Sequence, residues 1–253
     1  MGTGTSQGVP IIACNCKVCT SEDQRDKRLR CSILLTLNQK NVVIDAGPDF
    51  RQQMLRTGVR SLEAVLLTHE HNDHVIGLDD VRPFNFRQRQ AMPIYAVPRV
   101  QKEVKSRFSY VFQPSPYPGA PNLELKHMDK SQPFEIAGMH FQPIEVMHGK
   151  MPVLGFRVGD FTYITDAKTI SPEELDKVRG TRLLVLNALH HKEHHSHLNL
   201  EQALAIINEV QPEQAYLTHI SHQMGRHDEI SELLPPGVAL AYDGLRLQTN
   251  INR

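Results

Sequence analysis

The chain has no surplus of either charge: Lys plus Arg equals Asp plus Glu at 28 each. That balance excludes the bulk basic field with which nucleic-acid binders gather their ligand, so nucleic acid is not an expected partner, although a local patch stays open. Long apolar runs are also missing. Nothing approaches the roughly 18 residues of a membrane helix, and no charged-then-apolar leader opens the chain, so no membrane association is expected. There is no internal repeat and no clear linker, and residues 1–253 read as one layered α/β domain. Cysteine is scarce, four in all, and three of them fall within six positions: Cys14, Cys16 and Cys19 in IIACNCKVCT. That clustering suits a metal site in a reducing, cytoplasmic setting rather than a disulfide framework.

Histidine is abundant and uneven. Of 14, three lie at 69–74, five at 190–197 and three at 219–227. Around them the chain alternates short β-rich runs with helical ones. CSILLTL (31–37) and NVVIDAG (41–47) flank NQK, a gap suited to a hairpin. AVLLTHE (64–70) reads as a buried strand with a polar end, and MPIYAVP and HFQPIEV as further strands. LGFRVGD and FTYITDA form a hairpin around Gly159-Asp160. PDFRQQMLRTG (48–58) and PEELDKVRG (172–180) open on Pro and close on Gly, as helices do. LNLEQALAIINEVQP (198–212) is the clearest helix, with Asn199 as N-cap and Gln202 at the capping-box position. FQPSPYPGAPN (112–122) is a Pro-rich surface loop and a candidate dimer contact.

The run THEHNDHVIG places His69, His71, Asp73 and His74 directly after the apolar AVLL. In an extended segment residues i and i+2 share a face, so His69 and His71 can reach one ion together. Where the chain turns, Asp73 and His74 can serve a second. Imidazole with carboxylate suits zinc, manganese or iron with open positions for water. The three clustered cysteines supply three of the four ligands of a tetrahedral zinc site, and spacing alone leaves the fourth open. Cys31, in the strand-like RCSILLTL, reads as an inert core residue.

H-x-H-x-D-H after a buried strand resembles the signature of the metallo-β-lactamase superfamily. GTGTSQGVP, VVIDAGPD (42–49), LTHEHNDHVIGLDD (67–80), TDA (165–167) and LTHISH (217–222) follow in family order. The resemblance implies a four-layer αββα sandwich with a two-metal site at one sheet edge. It implies that His148 completes the first metal with His69 and His71. It further implies that Asp166 bridges the ions, that His219 joins Asp73 and His74 on the second, and that Asp45 orients the ligand histidines. C-x-C-x2-C together with LTHxxH is similar to the cyclic-phosphate phosphodiesterases of the carbon–phosphorus lyase pathway. In those enzymes the cysteines and the histidine equivalent to His222 hold a structural zinc, which would tether the loop near 14–19 to the active-site rim. Family members carry a short apolar strand before the GTGTSQG loop, whereas only Met1 precedes Gly2 here, so the resemblance implies a missing edge strand.

Within LHHKEHHSHLNLEQAL most histidines read as a solvated loop. His197 stands two positions before Asn199, beside a helix N-terminus that favours anions. The resemblance makes it the general acid or a phosphate grip, with His195 in reserve. Asp80 and Arg82 are further candidates, Arg82 either contacting phosphate or forming a surface salt bridge. The expected catalytic residues are thus His197 and Asp73. The expected function is a metal-dependent hydrolase: a binuclear phosphodiesterase with two divalent ions (Zn or Mn), besides the structural Zn. It would act on a small phosphodiester, a cyclic ribose phosphate among the candidates, through a hydroxide bridging the metals. Three alternatives share the scaffold. They are a tRNA 3′-end processing endonuclease, a thioester or lactam hydrolase, and a non-catalytic accessory protein of cofactor biosynthesis. The absence of a basic, Gly-rich extension counts against the first, and the cysteine–histidine site with HLNLEQA against the second.

Overall fold

The computed structural model describes residues 1–251. Thirteen strands and seven α-helices are present among them. In chain order they begin β1 (Ile33–Leu37), β2 (Lys40–Ile44), α1 (Phe50–Thr57), β3 (Ala64–Leu66), α2 (Asn72–Val75), α3 (Arg82–Gln88), β4 (Met92–Ala96), α4 (Pro98–Arg107) and β5 (Leu123–His127). The second half holds β6 (Phe134–Ile136), β7 (Met139–His148), β8 (Met151–Val158), β9 (Phe161–Ile164), β10 (Thr169–Ile170) and α5 (Pro172–Val178). It ends with β11 (Leu183–Asn187), α6 (Leu200–Val210), β12 (Gln214–Thr218), α7 (His227–Ser231) and β13 (Val238–Leu240).

The strands form two sheets, one in the order β1-β2-β3-β4-β5, the other β10-β7-β8-β9-β11-β12-β13 with β6 beside β7. Period-2 alternation sorts their side chains into layers. On β2, Val43 faces helices α1, α3 and α4 while Val42 and Ile44 face the other sheet. On β11, Leu184 and Leu186 face α5 and α6 while Leu183 and Val185 face inward. Phe141, Phe156 and Tyr163 fill the space between sheets. The result is the expected four-layer αββα sandwich.

Register decides where the site lies. β2 and β3 run parallel with Ile44 opposite Leu66, and β9, β11 and β12 run parallel with Ile164, Leu186 and Leu217 in line. The residues that follow these strands therefore leave both sheets at one edge, and β7 ends there on His148. Local chemistry agrees with the sequence at several points. Asn38 and Gln39 both take positive φ and close the β1–β2 hairpin. Gly159 takes φ 57° in the β8–β9 turn. Asn199 and Gln202 form the reciprocal capping box of α6.

The first residues make isolated bridges instead of a strand: Gly2 to Ser32, Gly4 to both Arg30 and Ile220, and Val9 to Arg28. Arg28, buried to 3 % exposure, anchors this segment. Its guanidinium donates to Thr3 Oγ1 at 2.9 Å and to the Ala241 carbonyl at 2.5 Å, and lies 3.2 Å from His227 Nδ1. Burial and the adjacent Arg28 charge push the His227 imidazole down to about 4. An unfolded histidine titrates near 6.5. Between these values the unfolded state takes up a proton that the folded state refuses, so stability falls as pH drops from about 6.5 to 4. Urea unfolding of wild type and His227→Asn over this range should show a steeper acid-side loss in the wild type. Parallel curves would refute the assignment.

Candidate active centre

Asp45, the residue after β2, takes φ 66°. It is fully buried, and its carboxylate accepts from Thr68 N at 2.9 Å, from Thr68 Oγ1 at 2.9 Å and from His74 Nδ1 at 2.7 Å. These bonds fix the His74 ring, so that Nε2 turns to Asp73 Oδ2 at 3.2 Å and Asp166 Oδ2 at 3.3 Å. Asp166, at φ 60° just beyond β9, also faces His219 Nδ1 at 3.3 Å and His197 Nδ1 at 3.7 Å. His69 and His71 meet edge-on, 3.1 Å between Nε2 and Nδ1. The His148 ring lies 5.2 Å from His71 and 4.5 Å from His197, and its Nδ1 donates to the Ser196 carbonyl at 2.8 Å. All seven predicted active-site ligands thus meet at one edge.

The donor set fits divalent cations. Ligand atoms of His69, His74 and Asp166 lie within 4.8 Å of one another, as do those of His148, Asp166 and His197, and Asp166 belongs to both groups. His74 Nε2 and His197 Nδ1 are buried without a hydrogen-bond partner, a costly state that cation coordination relieves. Burial opposes charge on His74, but the Asp45 and Asp166 carboxylates outweigh it and raise this imidazole well above its usual range. Burial likewise opposes ionisation of Asp166, yet His219, His74 and His69 together hold it well below the usual carboxylate range. Burial, and then His219, push His197 down to about 2.

At the N-terminal loop, the Cys14, Cys16 and Cys19 sulfurs lie 3.3, 3.3 and 3.5 Å from His222 Nδ1. The Cys19 N–H donating to Cys16 is the main cause of that thiol's fall to about 6, whereas burial lifts Cys19 to about 11. This is the second group brought together as the sequence implied. Cys31 is buried just ahead of β1, pushed up to about 12 by that burial, and accepts the His219 N–H at 3.2 Å.

Other candidates lie elsewhere. Arg82 is taken up by Asp79 Oδ2 at 2.7 Å and the Gly119 carbonyl at 3.2 Å, the salt-bridge alternative. Asp80 is half-buried on the 3₁₀ turn that follows α2. His195 is exposed. His190 departs from the solvated reading: its side chain is 9 % exposed and its Nδ1 is buried without a partner. Two further residues contribute without any motif to mark them. Thr68 orders Asp45, and Thr5 Oγ1 lies 3.2 Å from His219 Nε2 across 214 positions of sequence. The long separation hides Thr5, whereas Thr68, next to His69, was visible as a strand-end hydroxyl.

Residues 40–220 match the family model described as the β-lactamase superfamily domain. The crystal structure of a PhnP-family diphosphatase is 38 % identical and superposes with a TM-score of 0.92, covering 99 % of this chain and 96 % of that one. An octanoyltransferase of Porphyromonas gingivalis is 44 % identical over 97 % of this chain, which spans only 50 % of that protein's length. Zn-bound PqqB from Methylobacterium extorquens, 18 % identical with a TM-score of 0.81 over 98 % of both chains, shares the fold.

One glycine governs the ligand loop. A Cβ on Gly77 would stand 2.0 Å from the Gly47 carbonyl oxygen, against the turn that carries Asp45. Gly77→Ala should therefore destabilise the protein by about 1–3 kcal/mol in urea titration and lower its metal content. A variant unchanged in both would show that the turn yields freely.

Proposed function

This chain belongs to the β-lactamase superfamily and has the metallo-β-lactamase fold; from that premise we propose that it is a binuclear metal-dependent phosphodiesterase acting on a small phosphodiester. The observation that carries the reading is the convergence at one sheet edge of five imidazoles and two carboxylates, with Asp166 facing both His74 and His219 and His69 meeting His71 beside His148. His69, His71 and His148 would hold one ion, Asp73, His74 and His219 the other, with Asp166 between. Bound divalent ions would supply an activated water and neutralise phosphate charge. The protein's own part is to orient and to exclude. Asp45 accepts the His74 Nδ1–H and so leaves Nε2, turned toward Asp73 and Asp166, as the atom that would meet a cation in place of its proton. The Ser196 carbonyl does the same for His148. Asp73 acts within the same cluster. His197, beside Asp166 and at the mouth of α6, would meet the phosphate or the leaving oxygen. Its imidazole is neutral before substrate arrives, and a bound phosphate anion beside it favours the protonated form.

The likeness to a PhnP-family diphosphatase at 38 % identity supports cleavage of a bond to phosphorus. The octanoyltransferase activity of the Porphyromonas gingivalis relative we assign to the part of that protein outside this match. This chain spans only half of that protein's length, and residues 40–220 match the β-lactamase superfamily domain.

The test is hydrolysis of ribose 1,2-cyclic phosphate by manganese- or zinc-loaded protein. We expect turnover that His69→Ala abolishes and that His197→Ala lowers in kcat by about 10²–10⁴-fold. No turnover by fully loaded protein overturns the substrate class and brings precursor tRNA and an accessory role forward. We also propose that Cys14, Cys16, Cys19 and His222 hold a structural zinc. Elemental analysis of Cys16→Ser should then find one zinc fewer per chain, with the N-terminal loop newly open to protease. Undiminished zinc refutes this.

A further inference from the structure

The three histidines assigned to one ion come from two different sheets. His69 and His71 lie beyond the end of β3, in the first sheet, and His148 ends β7, in the second. The His148 ring stands 5.9 Å from that of His69 and 5.2 Å from that of His71. Within a sheet, ladder hydrogen bonds fix such spacings. Between sheets the contact is apolar packing, which has little directionality. Hydrogen bonds that cross the gap at this edge therefore matter. In one, the Leu154 N–H donates to the Thr68 carbonyl at 3.1 Å. Another is made by Arg99, the second residue of α4.

Arg99 Nη1 donates to the Glu70 carboxylate, and Nη2 donates to the Pro152 carbonyl at 2.6 Å. Glu70 is the residue between His69 and His71. Pro152 lies on β8 opposite Met147, one step along the hairpin from His148 and its partner Met151. One guanidinium thus spans the histidine turn of the first sheet and the histidine hairpin of the second. Its planar fork holds two acceptors at a set separation, which a single ammonium cannot do. Arg107, about two turns further along α4, donates to the Glu70 backbone carbonyl at 2.5 Å and holds the same residue by its main chain. The Arg99 and Glu70 side chains are 38 % and 14 % exposed, so their ion pair adds little to global stability, and its effect is geometric. The ligands assigned to the second ion are held by other contacts: His74 by Asp45, Asp166 by the Thr165 hydroxyl at 2.6 Å, and His219 by Thr5.

We propose that Arg99, with Glu70 as its partner, is a positioning residue that sets the spacing between His148 and the His69–His71 pair, and thereby the affinity for that one ion. Arg99 is itself no ligand. The inference rests on the two-ion reading of the active edge for what the brace holds.

The test is manganese titration of protein stripped of metal at the active edge, read by calorimetry and by the electron paramagnetic resonance of the free ion. It needs no turnover, and the thiol-rich site, which suits softer metals, does not compete for manganese. The wild type should take up two ions. Arg99→Met and Glu70→Ala should each weaken one of them about 10–100-fold and leave the other nearly unchanged. His148→Ala should weaken the same ion, and adding Arg99→Met to it should cost nothing further. Glu70→Gln, whose amide oxygen still accepts from Arg99, should keep most of the affinity that Glu70→Ala loses. Equal weakening of both ions, weakening of neither, or a Gln variant no better than the Ala variant overturns the proposal. Uptake of a single ion by the wild type removes the two-ion reading, and the brace then stands only if Arg99→Met weakens that ion. Two ions bound by protein that hydrolyses no phosphodiester remove the reaction and leave the brace to the same titration.

Discussion

Asp45 is a carboxylate without access to water, and the architecture of the active edge follows from meeting its demands. Burial pushes its carboxyl up, and the His74 imidazolium with the Thr68 donors pulls it back toward the charged form. Truncating one member of such a buried pair typically costs about 3–5 kcal/mol, because the other is left uncompensated. Asp45 closes β2, Thr68 follows β3, and His74 sits on α2. One carboxylate therefore locks the ends of two strands to the helix that carries Asp73 and His74. Ser32 Oγ, just ahead of β1, donates to the Asp45 carbonyl at 2.6 Å and extends the lock to the edge of the sheet. The orientation of His74 Nε2 toward Asp73 and Asp166 is a consequence of this lock.

A second constraint is conformational. Asp45, Asp166 and His219 all adopt left-handed φ, 66°, 60° and 55°, each at the end of a strand. Non-glycine residues rarely take this region, and each instance costs of the order of 1–3 kcal/mol. A strand that simply continued would alternate its side chains between the two faces of the sheet, into apolar layers. A left-handed step breaks the alternation and turns the side chain along the strand axis toward the edge. The strain therefore coincides with the residues that must leave the core to form the cluster. The close approach at Gly47 and Gly77 has the same origin, since the ligand loop must pack against the turn that Asp45 creates.

How much of this was legible depended on the range of the interaction. The capping box at Asn199 and Gln202, the Gly159-Asp160 turn and the H-x-H-x-D-H run are local, and their signals lie within six residues. The sandwich itself followed from family order. The helical stretch 72–88 carries no clear sequence signal, because in NDHVIGLDDVRPFNF the polar residues Asp73 and His74 and then Gly77 interrupt the apolar period of a helix. Nothing in the sequence separates buried His190 from its solvated neighbours, since burial leaves no mark in a run of five similar residues. Arg28 and Thr5 were invisible for a different reason. Their partners, Ala241, His227 and His219, lie about 200 positions away, and no local pattern encodes such a pairing.

Those long-range ties bear on why a cysteine–histidine cluster lies beside the active edge. The N-terminal loop supplies Thr5 to His219, and its backbone joins the sheets through isolated bridges, not as a strand. Residues 2–5, 8 and 9 are buried, and Thr3 N and Oγ1 donate to Asp243 Oδ1 at 3.0 and 2.9 Å. Two further anchors reinforce this. Arg28 pins it at Thr3, and the convergence of three sulfurs on His222 pins it next to Gln223. A cation held by these four groups, as proposed above, would add its binding energy to this arrangement. The hydroxyl beside His219 would then be positioned by a group of residues outside the active-edge cluster.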